Sequence, residues 1–246
     1  MKNFCVSMTS IPPRFSSLQK TLYSIQNQTI KPNKIFLNIP KNYQRFKTID
    51  YDFKKLSDEF KNLSINRCND FGPGTKLLGS LKNILNYDFV ILLDDDHIYR
   101  KEMLEIFYEQ AKKNPDNSYS FCVYDILDCK IGQGADGFLI NTMFLKKVNY
   151  FFEKYVKDNK KLFLNDDLWL SIYLYKILKI DIISVFHLLK QPFLFKHKSI
   201  YTKHTTAGAI IETYSSNRKL ARDLKYKENC SEYLYLKKIT NNFSNT

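Results

Sequence analysis

Over its first half the chain alternates short, unbroken apolar runs with stretches in which apolar residues recur at helical spacing. Residues 4–8 form the first run, closed by Thr9, Ser10 and the breaker pair Pro12 and Pro13, and predict a short buried strand. Leu18, Leu22 and Ile25 then share one face of a helix over about 17–27. Residues 34–39 predict a second strand, stopped by Pro40, and 63–67 a third; the polar segment 41–61 between them reads as a loop holding a short helix. A helix opens at Gly72, Pro73, Gly74 and Thr75 and carries Leu77, Leu78, Leu81, Ile84 and Leu85. Residues 88–93 are the clearest strand of the chain, and Asp94, Asp95 and Asp96 stand at its carboxyl end. Another helix covers about 101–113.

This alternation predicts an α/β fold of the Rossmann-like kind, with a mostly parallel central sheet covered by helices on both faces. Ligands of such sheets sit beyond the carboxyl ends of the strands, so the acidic triplet marks the expected site. The second half is less regular. It predicts a strand at 119–124, a flexible glycine-rich approach (132–137) to a strand at 138–140, helices near 142–156 and 167–178, and a strand at 180–185. From 187 onward the chain is basic and Tyr-rich, with a helix expected around 216–226. No fixed-period repeat and no Pro/Gly/Ser linker divides it. The reading is one domain, 1–186, with a C-terminal extension, 187–246.

An apolar share of 44% in 246 residues is enough for a substantial core. The 19 Phe and 17 Tyr beside a single Trp partly reflect a biased composition rather than chemistry. A net charge of +13 favours polyanionic partners, namely nucleic acid, anionic lipid headgroups or phosphorylated small molecules, without choosing among them; a plain solvated basic surface explains it equally well. Cys5, Cys68, Cys122, Cys129 and Cys230 are odd in number and contain no Cys-x-x-Cys, which fits reduced thiols in a cytoplasmic protein. The chain runs directly into its first strand without an apolar leader, and its longest apolar runs are too short to span a bilayer. Contact with a membrane is therefore expected only at its surface, at the inner face.

Three adjacent carboxylates after a buried strand repel one another unless something compensates them. Hard divalent cations such as Mg2+ or Mn2+ take oxygen ligands and bridge such groups to a diphosphate, whereas capping the next helix would need one Asp only. Asp166 and Asp167 form a second acidic pair directly before Leu168, Trp169 and Leu170. Helix capping and general-base catalysis account for that pair equally well. Among the histidines, His197 and His204 lie in a basic stretch and would complete a metal sphere if it folds back over the site. Arg14 and Lys76 are candidates for phosphate contacts, although an ordinary surface charge explains each on sequence grounds.

Thr9-Ser10-Ile11-Pro12-Pro13-Arg14-Phe15, followed by residues 22–28 and by Pro32-Asn33-Lys34-Ile35, resembles the opening of glycosyltransferases of the GT-A fold. More narrowly it is similar to a family-2-like bacterial and viral group with a T-x-I-P-x-R-F start and a D-[FY]-G-P-x-T-K-L segment, here Asp70 to Leu77. Asp94-x-Asp96 matches the DxD element. Asp166-Asp167 falls at the acceptor-side acidic motif, and Gly134-Ala135-Asp136-Gly137 resembles the loop before it. The resemblance covers residues 3–175, with the nucleotide-sugar part over about 1–100 and the acceptor side over about 115–186.

The resemblance implies a nucleotide-diphosphate sugar donor, a glycan or lipid-linked acceptor and a divalent metal, Mn2+ or Mg2+. Asp96 would be the main metal ligand, with Asp94 assisting and Asp95 near the ribose or donor sugar. Thr9, Arg14, Asp70 and Lys76 would line the nucleotide pocket. Asp167, or its neighbour Asp166, would deprotonate the acceptor hydroxyl for an inverting displacement. The family often has Glu-Asp where this chain has Asp166-Asp167, which leaves the choice of base open. The rival readings are a metal-dependent nuclease or phosphotransferase, and a basic module binding nucleic acid or anionic membranes. The first leaves the Pro-rich opening without a role and the second leaves the triplet unexplained, so nucleic acid is not the expected partner.

Overall fold

A computed structural model describes residues 3–189, together with 198–199, 234–235 and 238. Strands β1 (Phe4–Thr9), β2 (Lys34–Pro40), β3 (Leu63–Cys68) and β4 (Phe89–Leu93) form the parallel half of a seven-stranded sheet. A two-residue strand β5 (His97–Ile98) follows β4. β6 (Ser118–Ser120), β9 (Phe138–Asn141) and β10 (Ile182–Ser184) complete the sheet in the order β10-β6-β9-β4-β1-β2-β3. Within it β9 runs against its neighbours β4 and β6, and every other pairing is parallel. Between them β7 (Val123–Ile126) and β8 (Cys129–Gly132) make an antiparallel hairpin, and β11 (Lys198–Ser199) pairs antiparallel with β5.

Alternation along the central strands sorts side chains onto two cores, because successive Cβ atoms point to opposite faces. Phe4, Val6, Met8, Ile35, Leu37, Phe89, Ile91 and Leu93 join one core; Cys5, Phe36, Val90 and Leu92 join the other. The first core is covered by α1 (Leu18–Gln26), α2 (Lys54–Glu59) and α5 (Met103–Lys113), whose buried residues include Leu22, Leu56 and Phe107. The second is covered by α3 (Thr75–Leu78), α4 (Leu81–Ile84), α6 (Val148–Tyr155), α7 (Lys160–Phe163) and α8 (Asp166–Ser171), the last widening into a π-helical turn over Ile172–Ile177. Burial on both faces explains why these strands read as unbroken apolar runs. Among the described residues no helix is long and apolar enough to cross a membrane.

Three expectations are corrected. The helix over residues 75–85 is two helices, because the chain breaks at Gly79 and Ser80: Asn66 Nδ2 donates to the Gly79 carbonyl and Ser80 Oγ to Asn38 Oδ1. The strand over 119–124 ends at Ser120, whose Oγ lies 3.1 Å from both the Cys122 and Gln133 carbonyls, and the chain turns out of the sheet into the β7–β8 hairpin. The glycine-rich approach is accordingly part of that hairpin up to Gly132, followed by a 3-10 turn over Gly134–Asp136. The helix expected around 216–226 lies outside the described residues.

Glycines let the turn before α3 sit against the second core. Gly72 has φ +60°, and a Cβ at Gly74 would stand 2.8 Å from the Trp169 ring. At Gly79 an added Cβ would lie 2.7 Å from the Thr75 carbonyl oxygen and 2.8 Å from Asn38 Cβ. Gly79→Ala should therefore lower stability by about 1–3 kcal/mol in urea unfolding, from overpacking against backbone; an unchanged midpoint would show that this contact relaxes freely.

Candidate active site

Strand β1 lies where the strand order reverses: β2 and β3 follow on one side, and β4 returns to the other. The ends of β1 and β4 therefore leave a crevice between their following loops, the position at which open α/β sheets bind ligands. Thr9 and Ser10 leave β1 here, and Asp94, Asp95 and Asp96 leave β4. Pro12 and Pro13 start a 3-10 turn over Pro12–Ser17 that swings Arg14 back toward the triplet.

The three aspartates have different environments. Asp95 is 3% exposed; its carboxylate accepts from Ser10 Oγ at 2.5 Å and Arg14 at 2.6 Å, and its carbonyl accepts from Thr21 Oγ1 at 2.9 Å. The other guanidinium nitrogen of Arg14 is 3.0 Å from Asp96, whose second oxygen is 2.7 Å from His97 Nδ1. Asp94 takes the Lys76 ammonium at 2.6 Å. Its backbone is gripped at both ends by Tyr99, whose hydroxyl receives the Asp94 N–H at 2.9 Å and donates to the Asp94 carbonyl at 3.0 Å. Lys76 Nζ also lies 3.1 Å from Asp166, and Asp167 accepts the Gly134 N–H at 2.8 Å.

Burial acts to raise the Asp95 carboxyl, opposed by Arg14 and Ser10 and reinforced by Asp96 and Asp94, and it ends above the ordinary carboxylate range. Burial pushes the same way at Asp94, but Lys76 and His97 outweigh it and hold that carboxyl low. At Lys76 burial alone would favour the neutral amine; Asp166, Asp94 and Asp167 overcome it and keep the ammonium charged. Asp167 is pushed up to about 8, first by burial and then by the charge of Asp166, against the lowering effect of Lys76 and the Gly134 N–H.

The readings of Arg14 and Lys76 as plain surface charges are thus corrected: they are 6% and 4% exposed and clamp the acidic groups. Thr9 donates its hydroxyl to the Asn38 carbonyl at 2.8 Å. Asp70 pins two loops by accepting the N–H groups of Gln44 at 2.7 Å and Gly72 at 2.8 Å. Both border a narrow cleft, together with Arg14, Tyr43, Phe46 and Asp94. Tyr43 and Phe46 come from the polar segment after β2, where only their aromaticity set them apart. His197 and His204 lie outside the described residues, although β11 pairs directly with His97 and Ile98.

A divalent metal fits these residues. Asp94, Asp96 and His97 each offer a ligand atom, all within 4.8 Å of one another, a group able to hold a metal ion. Asp94, Asp95, Asp96 and Asp166 face two cations, Arg14 and Lys76, while Asp167 holds a proton below about pH 8. His97 was legible only as the neighbour of the triplet.

No protein-family model and no curated protein matches the chain. Solved structures do match its fold. The mannosyltransferase PcManGT from Pyrobaculum calidifontis, in complex with GDP-Man and Mn2+, gives a TM-score of 0.53 at 13% identity, over 75% of this chain and 55% of that one. S. aureus TarS gives 0.51 at 14% identity, over 75% of this chain and 35% of that one. The fold is therefore of the GT-A class, and the chain spans little more than half of the first structure and about a third of the second.

Asp167 gives a pH prediction. Its folded pKa, about 8, exceeds the ordinary 3.8, so between these values the folded chain holds a proton that the unfolded chain has released. Stability should consequently fall as pH rises from about 4 to about 8, by at most about 1.4 kcal/mol per unit from this group. Asp167→Asn should remove that component; parallel stability–pH curves for the two proteins would contradict the assignment.

Proposed function

We propose that this chain is a glycosyltransferase that uses a divalent cation, Mn2+ or Mg2+, to move a hexosyl group from a nucleotide-diphosphate sugar to a hydroxyl of a glycan or lipid-linked acceptor. The observation that carries the reading is the meeting of Asp94, Asp96 and His97 beside the cleft at the end of β1 and β4, with Asp166 joined to Asp94 through Lys76 and Asp167 held next to it by the Gly134 N–H. Among proteins of like fold, the PcManGT structure holds GDP-Man and Mn2+. Asp96 and Asp94 would be carboxylate ligands of the cation, and His97 a third. When bound, the cation would offset the negative charge gathering on the departing diphosphate.

Arg14 and Ser10 hold Asp95 in place for the ribose or donor sugar. Thr9 and Asp70 border the nucleotide side, where Tyr43 and Phe46 offer ring faces to a base. Asp167 would be the general base in its ionised form, which the folded chain holds above about pH 8, with Asp166 as its alternative. It would take the acceptor proton while the acceptor oxygen attacks the anomeric carbon from the side opposite the diphosphate, giving inversion.

The first test is thermal stabilisation by a panel of nucleotide diphosphates, with and without Mn2+, on wild type and Asp96→Ala. Stabilisation by one nucleotide that requires Mn2+ and vanishes in the variant is expected. Stabilisation by short nucleic acids alone would favour the nuclease reading. In turnover with the identified donor, Asp167→Asn should lower kcat by about 10²–10⁴ with little effect on nucleotide affinity; if Asp166→Asn has the larger effect instead, the base is Asp166.

A further inference from the structure

Lys76 is anchored through its backbone and through the residue before it. Its backbone carbonyl accepts from Ser7 Oγ at 2.5 Å and Asn38 Nδ2 at 3.3 Å, and the preceding Thr75 hydroxyl accepts the Phe71 N–H at 2.9 Å. The start of α3 is therefore fixed against β1, β2 and the glycine-rich turn. From there the side chain reaches Asp94 on one side, at 2.6 Å, and Asp166 on the other, at 3.1 Å. A third side is closed by Gly134, where even a Cβ would come within 3.1 Å of Nζ and of Asp167 Oδ1. An ammonium has three protons to donate, and two of its directions end on carboxylates from different elements.

Asp94 is also one of the three groups placed to hold a dication. One half-buried carboxylate cannot give its full charge to an ammonium and to a dication at once, because each neutralises the field that attracts the other. Resting on the metal-dependent reading above, we infer that Lys76 is a positioning residue with two linked effects. It competes with the dication for Asp94, and it is the strut that holds the acceptor-side pair against the metal-side triplet. The competition keeps the cation weakly bound until a donor diphosphate adds its own oxygens, so cation and nucleotide bind better together than either does alone.

The test measures Mn2+ binding to the nucleotide-free protein from the EPR signal of free Mn2+. Lys76→Met should bind Mn2+ at least about tenfold more tightly than wild type, and charge-preserving Lys76→Arg should stay close to wild type. A structural role alone would lower the melting temperature without tightening Mn2+ binding. Equal or weaker binding in Lys76→Met, or tightening in Lys76→Arg as well, overturns the inference. If Lys76→Met does not fold, Lys76→Met with Asp166→Asn removes one charge of each sign. Tighter binding than wild type then supports the competition, and equal or weaker binding overturns it. Loss of nucleotide-diphosphate affinity at saturating Mn2+, with Mn2+ affinity alone unchanged, would make Lys76 a phosphate ligand and also overturn it. Equal Mn2+ binding in wild type and variant, or none in any nucleotide-free protein, overturns this inference and leaves the proposed function standing; that function fails separately if no nucleotide diphosphate stabilises the wild type in a Mn2+-dependent way.

Discussion

A surplus of buried negative charge at one end of the sheet is the constraint on which the site is built. Carboxylates withdrawn from water are strongly destabilised unless paired. Asp94, Asp95 and Asp96 leave the end of a strand with every residue buried. Each is compensated by a cation or donor brought from elsewhere: Arg14 and Ser10 for Asp95, Arg14 and His97 for Asp96, Lys76 for Asp94. The local irregularities follow from that need. The Pro-started 3-10 turn presents Arg14, and the glycine-rich turn before α3 presents Lys76. The result is an acidic cluster in which each of the three carboxylates meets a cation or a donor.

The sheet's topology determines which parts of the chain share this environment. Because β4 returns to the other side of β1, loops far apart in sequence converge on one crevice. Asp166 and Asp167 arrive by another route, at the start of α8, where Asn165 caps the helix by accepting the Leu168 N–H at 3.3 Å. With Asn165 in the capping role, the two aspartates are left to face Lys76 and Gly134. Both still lie in the first turn of α8, where a carboxylate is favoured in any case.

The central strands, α1 and α5 and the position of the acidic triplet were legible because their signals are local: burial on both faces leaves continuous apolar runs, and one-sided burial leaves a helical period. The break at Gly79 was not, since Leu77 to Leu85 keeps its apolar spacing across it and the cause lies in Asn38 and Asn66 on other strands. The β7–β8 hairpin was hidden because the apolar residues of 119–124 continue past the point where Ser120 ends the sheet strand. The burial of Arg14 and Lys76 was equally invisible, for a solvated lysine and a salt-bridged one have the same letter and differ only in partners distant along the chain. Tyr43 and Phe46 sat in a segment without period, and His197 and His204 fall outside the described residues.

The close approach of Gly74 to Trp169 carries an evolutionary consequence. One position belongs to the turn that presents Lys76 and the other to the helix that presents Asp166 and Asp167, so a substitution at either changes the space left for its counterpart. A side chain at 74 becomes tolerable only where the ring at 169 has shrunk. Neither change is neutral by itself: the smaller ring first leaves a void, and the larger turn residue first meets an occupied one. Across descendants of this sequence the two positions should therefore change together or not at all, leaving a paired trace in their alignment that single-site variability would not reveal.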